Sequence, residues 1–206
     1  MELSEDYFFK LTDSMKTLIF ATNNRHKISE IRSALGDRFT IITLQEAGID
    51  IDIPEPHDTL EANASEKSGT IHRITGKDCF SEDTGLEVES LGGAPGVKSA
   101  RYAGEPSDPV ANIHKLLEEL QPGMPRQARF RTVISLIMDG KEHYFEGICN
   151  GSIITERRGG EGFGYDPVFI PDGDTRTFAE MDMAAKNQYS HRKKALEQLI
   201  LFLNGQ

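Results

Sequence analysis

Hydrophobic and polar positions in the first part of the chain predict a strand, a helix and a second strand. Residues 17–21 form a continuous apolar run, which is typical of a strand buried on both faces. Ile28, Ile31 and Leu35 follow at helical spacing and predict one buried helical stripe. Residues 39–44 then predict the second strand.

Two further patterns occupy the next part of the chain. Residues 49–53 alternate strictly between Ile and Asp, as a half-buried strand does, until Pro54 and Pro56 interrupt the pattern. Residues 59–75 predict a helix that Gly76 ends, because glycine readily adopts the left-handed conformation found after helices.

The second half of the chain adds a helix and a hairpin. Residues 108–120 predict a helix, since Asp108 is a favourable cap and proline suits the first helical position. Residues 129–138 and 142–154 predict two long strands, and the Asp-Gly pair between them is the strongest short signal for a hairpin turn.

The order of these elements predicts the fold class. Residues 168–170 predict a last short strand, and Ser190 caps a terminal helix. Parallel-type strands followed by an antiparallel ribbon predict a mixed α/β fold with an elongated central sheet flanked by helices. We expect residues 15–206 to form a single domain, with residues 1–14 as an N-terminal appendage.

Composition and charge narrow the possible partners. The chain has 206 residues, of which 37% are hydrophobic, and carries a net charge of −10. A nucleic-acid polymer is therefore not expected as a partner, whereas a small polyanion needs only a local cluster of cations. Two cysteines without metal-ligand spacing, no long apolar run and no signal-peptide pattern predict a cytoplasmic protein without membrane contact.

Residues 81–104 set adjacent carboxylates beside two runs of turn residues. Glu82 and Asp83 follow a short apolar piece, and Thr84–Gly85 is predicted to turn the chain, so both acids are expected where a strand ends. Open α/β sheets bind their ligands at such positions. A solvated acidic turn would explain the same pair of acids.

Residues 22–27, with the sequence TNNRHK, join the first strand to the first helix. Backbone N–H groups, the positive end of the helix dipole and the cations of this segment would meet at one point, where an anion could bind. An ordinary capped helix start with basic residues on its surface is the alternative.

Three other polar side chains have two interpretations each. Glu55 lies between two prolines. They would hold its carboxylate rigidly, or the residue simply belongs to an acidic loop. Asn63 and Lys67 lie one turn apart on a predicted helix, where they would point at phosphates or form a solvated stripe.

A second glycine-dense loop, residues 159–167, contains two aromatic residues. Phe163 and Tyr165 could stack on a flat base, or their rings could fold into the core. Further on, Ser190 would bring His191 and Arg192 to a positive helix end, although helix capping alone explains the serine.

Taken in order, these segments resemble the inosine/xanthosine triphosphate pyrophosphatases, which hydrolyse non-standard purine nucleoside triphosphates. The matches run from about residue 16 to residue 203, nearly the whole chain. The resemblance implies two lobes around a substrate cleft, Mg²⁺ as cofactor and cleavage between the α and β phosphates to give the monophosphate and pyrophosphate. It also implies a homodimer.

The resemblance assigns roles to individual residues. Asp83 becomes the proton acceptor and a metal ligand, Glu55 a second metal ligand, and Glu82 a further candidate ligand. The residues assigned to the substrate come from the helix start, the position after Asp83, the aromatic loop and the segment before the last helix. They are Thr22, Asn23, Asn24, Arg25, His26, Lys27, Thr84, Phe163, Gly164, Tyr165, Asp166, Lys186, His191 and Arg192.

Two other functions remain open on the sequence. A non-catalytic nucleotide sensor would use the same phosphate and stacking loops without turnover. A pyrophosphatase acting on a modified pyrimidine triphosphate, like the distantly related Maf-type enzymes, would keep the chemistry and change the base.

Overall fold

The computed structural model of the protein describes residues 17–35 and 40–205. The predicted appendage at residues 1–14 and the predicted start of the second strand at Phe39 lie outside the described residues. That residues 15–206 form one domain stays a prediction. Within the described ranges, no helix is long and apolar enough to cross a membrane.

One mixed sheet, with seven strands among the described residues, organises the fold. The strands are β1 (Thr17–Phe20), β2 (Thr40–Thr43), β3 (Cys79–Val88), β4 (Pro95–Gly96), β5 (Gln127–Met138), β6 (Lys141–Ile153) and β7 (Phe169–Pro171). Their order is β2-β1-β3-β5-β6-β7, with β4 paired to β3. β1 runs parallel to β2 and β3, whereas the other pairs are antiparallel, which confirms the predicted mixed sheet.

In the part of the chain that the structure describes, five α-helices accompany the sheet. They are α1 (Arg25–Leu35), α2 (Leu60–Thr75), α3 (Pro109–Glu119), α4 (Met183–Tyr189) and α5 (His191–Asn204). The hydroxyl groups of Thr59 and Ser190 and the carboxylate of Asp108 accept backbone N–H groups at the starts of α2, α5 and α3. Gly76 ends α2 with a φ of 64°. These caps confirm the predicted helix boundaries.

The long hairpin of β5 and β6 is also confirmed. Asp139 and Gly140 have φ values of 50° and 72°, the left-handed conformation that a two-residue hairpin turn requires at both central positions. The strands pair from Met138 opposite Lys141 to Gln127 opposite Ser152. β5 also pairs along the whole of β3, so β3 lies in the middle of the sheet.

The predicted turn at Thr84–Gly85 is wrong. β3 continues through both residues, and Glu82 and Asp83 therefore lie within a central strand and not at its end. Gly85 is needed for another reason. A Cβ atom there would lie 2.7 Å from the carbonyl oxygen of Gly96, so glycine allows the backbone of β4, which pairs with β3, to approach closely.

The alternating segment 49–53 forms no strand. Its Ile49, Ile51 and Ile53 are nevertheless partly buried against a core cluster, as the alternation predicts. The amide of Asn23 donates to the carbonyl of Ile51 over 3.1 Å, which ties the segment to the start of α1. A one-sided apolar pattern predicts that one face is buried, but a β-strand also needs an adjacent strand with which its backbone can form hydrogen bonds.

Buried apolar side chains form two main clusters. The first packs β1, the start of β3, the middle of the hairpin and α5 together, with Phe20 stacked on Phe80 at 4.6 Å between ring centroids. The second packs the end of β3, α3 and the loops near β7, around Phe130 and Phe169. The helices, strands and loops that form these two clusters also provide the residues that line a cleft, which is described below.

Candidate active site

A cleft of about 480 Å³ collects the residues that the sequence singled out. That volume lies in the range typical of sites for small ligands. Every predicted site residue except Arg25 and Glu82 lines it. The side chain of Arg25 lies outside the described part of the structure, and Glu82 lies just beneath the cleft wall, where it is 1% exposed.

The start of α1 forms one end of the cleft. The Asn24 side chain accepts hydrogen bonds from the backbone N–H groups of His26 and Lys27 over 3.0 and 3.2 Å, and the Asn24 N–H donates to the Thr22 hydroxyl. The first turn contains no acidic residue, so the positive end of the helix dipole is not neutralised locally. Lys27 adds an ammonium group, 15% exposed, whose Nζ lies 3.1 Å from Glu82. This end of the cleft is suited to an anion.

Glu55 and Asp83 face each other across the ammonium group of Lys67. Its Nζ lies 2.5 Å from Glu55 Oε1 and 3.3 Å from Asp83 Oδ1. Asp83 is 5% exposed, and its Oδ2 is buried without a hydrogen-bond partner among the described residues. Lys67 is therefore buried and not part of a solvated stripe, and because it lines the cleft, the phosphate contact considered for it stays a prediction.

Burial and charge act differently on these three groups. Burial raises the pKa of the Asp83 carboxyl above its usual range, and Lys67 only partly offsets this. Burial also acts to raise the pKa of Glu55, but the closer contact with Lys67 outweighs it, so the pKa is lowered. At Lys67 the two carboxylates outweigh burial and raise the pKa, so the ammonium form is favoured.

Asn63 has a structural contact in place of the two roles considered for it. Its side chain is 1% exposed, accepts from the N–H of His57 over 2.9 Å and donates to the carbonyl of the same residue over 3.1 Å. Because His57 follows Glu55 closely in the chain, this amide fixes the loop that presents the Glu55 carboxylate.

A buried network of charges lies beside the cleft and contributes Lys186, Arg192 and Asp166 to its lining. Arg192, 2% exposed, donates to both oxygens of Glu82 over 2.7 and 2.9 Å and also to Glu30. Lys186 donates to Glu30 over 2.8 Å and to Asp166 over 2.7 Å. The network thus connects α1, β3, the aromatic loop and the start of α5.

The carboxylates of this network differ in their proton affinity. Although Glu82 is buried, Arg192 and Lys27 hold its pKa well below the usual range. Arg192 and Lys186 lower the pKa of Glu30 in the same way. At Asp166 burial is the larger effect, and it raises the pKa. Both Glu82 oxygens are occupied by cationic side chains, so Glu82 offers a metal ion no free oxygen in this arrangement.

Sequence reasoning missed Glu30. It lies on α1 and is 5% exposed, and its only local signal is an acid one turn after Lys27. Its partner Arg192 lies 162 positions later in the chain. A single buried glutamate within a helix resembles any solvated helix residue until that partner is known.

Phe163 presents an aromatic face beside the buried cations. Its ring centroid lies 5.1 Å from that of His26, 5.2 Å from Lys186 Nζ and 5.8 Å from the Arg192 guanidinium carbon. The Asp166 carboxylate accepts from the Phe163 N–H over 2.8 Å and so holds the loop. A flat ligand ring on Phe163 would lie next to fixed charged groups.

The other members of the loop have different surroundings. Tyr165 is 4% exposed, belongs to the second core cluster, and donates its hydroxyl to the carbonyl of Ser99 over 2.9 Å. Gly164 has a φ of 59°, a conformation that favours glycine. Of the two aromatic side chains, Tyr165 matches the alternative of a ring folded into the core, and Phe163 remains for stacking.

His191 lies at the first position of α5, directly before Arg192. It is 3% exposed and stacks on Phe130 at 4.8 Å, and its Nδ1 has no hydrogen-bond partner among the described residues. Burial, followed by the nearby Arg192 and Lys186, lowers its pKa well below the usual value. The imidazole is therefore neutral near pH 7 and has one buried nitrogen available to a ligand.

The donor set fits a magnesium ion held together with phosphates. Among the described residues, no group of three His, Cys, Asp or Glu side chains could hold a metal by itself. Mg²⁺, however, commonly binds through one or two carboxylates, keeps several waters and takes substrate phosphates as ligands. Glu55 and Asp83, with the unpartnered Asp83 Oδ2, satisfy that requirement.

By its fold and site, the protein is of the α/β class and has a cleft suited to a small polyanion carrying a flat ring. Comparison with known proteins gives the family. The model of the Ham1 family matches residues 18–202. The chain belongs to the Ham1 family.

Individual relatives match over nearly their whole length. The chain is 56% identical to a dITP/XTP pyrophosphatase of Porphyromonas gingivalis, covering 92% of this chain and 98% of the relative. It is 47% identical to a protein of the same name from Flavobacterium johnsoniae, covering 91% and 98%. The solved structure of the Staphylococcus aureus Ham1 protein superposes with a TM-score of 0.84 at 38% identity, covering 92% and 99%.

Proposed function

We propose that this protein hydrolyses non-standard purine nucleoside triphosphates, dITP or ITP and XTP or dXTP, to the nucleoside monophosphate and pyrophosphate. The observation that carries the proposal is the arrangement of the cleft. One cleft brings together a lysine-bearing helix end, a carboxylate pair, and an aromatic ring beside buried cations. The relatives named dITP/XTP pyrophosphatase support the same activity.

Glu55 and Asp83 would hold the magnesium ion, which offsets phosphate charge and lowers the pKa of a bound water when it is present. The Asp83 carboxylate accepts the proton of the attacking water. Lys27 and the N–H groups at the start of α1 bind the phosphates and stabilise the departing pyrophosphate. Glu82, paired with Arg192 and Lys27, orients these two cations and does not bind the metal.

The base lies against Phe163, and its polar edge meets the Arg192 guanidinium and the neighbourhood of His191. Asp166 and Glu30 hold Lys186 and Arg192 in place before substrate arrives. We further propose that residues 15–206 form a single domain, that the protein is cytoplasmic and that it forms a homodimer. The family resemblance supports the dimer.

Pyrophosphate release tests the proposed function. Incubation with inosine triphosphate and Mg²⁺ is expected to yield inosine monophosphate and pyrophosphate in equal amounts, with no orthophosphate, measured by phosphorus NMR. Binding without turnover would instead support a sensor. Faster hydrolysis of modified pyrimidine triphosphates than of inosine triphosphate would support the Maf-like alternative.

Replacing Lys27 with alanine is expected to weaken substrate binding. A hydrogen bond to a charged group contributes about 1.5–3 kcal/mol, so kcat/KM for inosine triphosphate should fall by roughly 10- to 150-fold. The fold should persist because Arg192 still pairs with Glu82. Lys77→Ala is the matched control, since Lys77 is exposed beyond the end of α2, and unchanged kinetics in Lys27→Ala would refute the assignment.

A further inference from the structure

Lys67 occupies the space between the two carboxylates of the proposed metal site. Its Nζ contacts Glu55 over 2.5 Å and Asp83 over 3.3 Å, and its side chain is 9% exposed. Both contacts are charge-assisted hydrogen bonds, the stronger kind in proteins. A cation of the protein itself therefore already neutralises part of the charge that would attract a divalent ion.

The position of Lys67 is held from both sides. Asn63, one turn earlier on α2, bonds to the backbone of His57 and thereby fixes the loop that carries Glu55. Asp83 lies in the middle of β3, whose neighbours pair along its length. The ammonium group is thus part of a fixed arrangement, and the partly buried setting weakens solvent screening of its charge.

A divalent ion between the same two carboxylates would lie against this ammonium group. Two like charges at that separation repel each other, and the repulsion is larger in a partly buried site than in water. The ion could enter if Lys67 moved to another anion. A triphosphate in the cleft brings such anions, whereas the protein without nucleotide offers Lys67 only Glu55 and Asp83 among the described residues.

We propose that Lys67 acts as an internal cation that keeps the nucleotide-free protein from binding divalent metal, so that the metal enters only together with the nucleotide phosphates. The inference deepens the proposed function and rests on it, because it takes Glu55 and Asp83 as the metal ligands. Metal and nucleotide binding are then strongly coupled, and by linkage each raises the affinity for the other by the same factor.

Metal binding without nucleotide tests this role. Mn²⁺ serves as the probe, and the electron paramagnetic resonance signal of free Mn²⁺ is followed as wild-type protein is titrated. Wild-type protein is expected to show no saturable binding up to about 1 mM Mn²⁺. In Lys67→Met both carboxylates lose the ammonium group, although Glu55 keeps its ion pair with Arg101 at 3.7 Å. Mn²⁺ should therefore bind at least about tenfold more tightly, within the usual range of coupling between sites.

Three further variants serve as controls. Lys67→Met combined with Glu55→Gln should lose the new binding, because one of the two carboxylates is gone. Lys77→Met, at an exposed lysine beyond the same helix, should behave as wild type. Lys67→Arg keeps a cation and should also exclude Mn²⁺.

Two results would overturn the proposal. One is saturable Mn²⁺ binding by the wild-type protein without nucleotide, which needs no variant and decides the question even if Lys67→Met does not fold. The other is a folded Lys67→Met protein, with a cooperative thermal transition, that binds Mn²⁺ no more tightly than wild type. None of these titrations involves turnover, so failure of the pyrophosphatase assay would be a separate result.

Discussion

Replacing Asp83 with asparagine is expected to lower kcat for inosine triphosphate at least about a hundredfold, the lower end of the contribution of a general base. The amide has nearly the same size as the carboxylate but cannot accept a proton from water. It also removes a charge proposed to hold the metal, so the rate should be measured over a range of Mg²⁺ concentrations. Persistence of the loss at saturating Mg²⁺ assigns it to proton transfer.

The structure makes this substitution a direct test. Asp83 lies within β3, and its Oδ2 is buried in the cleft wall without a partner among the described residues. An asparagine can still accept from Lys67 through its carbonyl oxygen. Asp50→Asn, at an exposed acid in the segment before Glu55, provides the control and should retain wild-type kinetics.

One outcome of this experiment contradicts the role of Asp83, and a second requires the kinetics to be repeated. Activity within a few-fold of wild type would exclude it as the proton acceptor. A thermal midpoint far below that of wild type would indicate that the loss reflects unfolding, and kinetics at a lower temperature would then be compared. Glu82→Gln separates the two acids, because we expect it to disturb Arg192 and Lys27 and to leave the Mg²⁺ requirement nearly unchanged.

Much of the fold could be predicted because its signals are local. The caps at Thr59, Asp108 and Ser190 depend on residues within one turn, and the Asp139–Gly140 turn depends on two residues alone. Hydrophobic spacing then gives the elements between these points.

What the sequence did not reveal depends on partners far away in the chain. The glycine at position 85 resembles a turn residue, and only the close approach of Gly96 in β4 shows that it provides room for another backbone. Glu30 and Lys67 resemble ordinary helix residues because their partners, Arg192 and Asp83, belong to other elements. Such pairings are properties of the folded chain and leave no local pattern.

The site was predicted unevenly for the same reason. The structure brings the segments that the sequence singles out together in one cleft, whereas the contacts between their side chains could not be read from the sequence. Glu82 was considered for the metal, and the structure pairs it with Arg192 and Lys27. Asn63 was considered for phosphate, and it holds the loop of Glu55.

Base selectivity is the second large effect that we expect. Hypoxanthine and xanthine carry an oxygen at position 6 and a protonated N1, whereas adenine has an amino group and an unprotonated N1. An arginine has five N–H donors, and Arg192 directs three of them to Glu82 and Glu30 and a fourth, over 3.5 Å, to the Thr84 hydroxyl. The guanidinium is thus fixed in direction before the base arrives, so its remaining N–H group favours an oxygen and opposes an amino group.

The size of the discrimination follows from the groups left unpaired. Each buried donor or acceptor without a partner costs about 1–3 kcal/mol, so two mismatches should reduce kcat/KM for adenosine triphosphate at least about 30-fold relative to inosine triphosphate. Guanine differs from hypoxanthine only by the amino group at position 2, where xanthine carries an oxygen of similar bulk. A backbone donor aimed at position 2 would therefore reject guanine by polarity and not by size.

The measurement is kcat/KM for the triphosphates of inosine, xanthosine, guanosine and adenosine. Arg192→Ala would leave Glu30 and Glu82 as buried acids without their arginine, a change that commonly costs about 3–5 kcal/mol of stability, so Arg192→Lys is the better variant. Lysine keeps the charge near both acids but lacks the planar fork, and the preference for inosine over adenosine should narrow. Arg129→Lys, at an exposed arginine on β5, should leave that preference unchanged.

Guanosine or adenosine triphosphate hydrolysed as well as inosine triphosphate by the wild-type protein would overturn the selectivity, because a fixed donor at position 6 cannot accommodate an adenine amino group without loss.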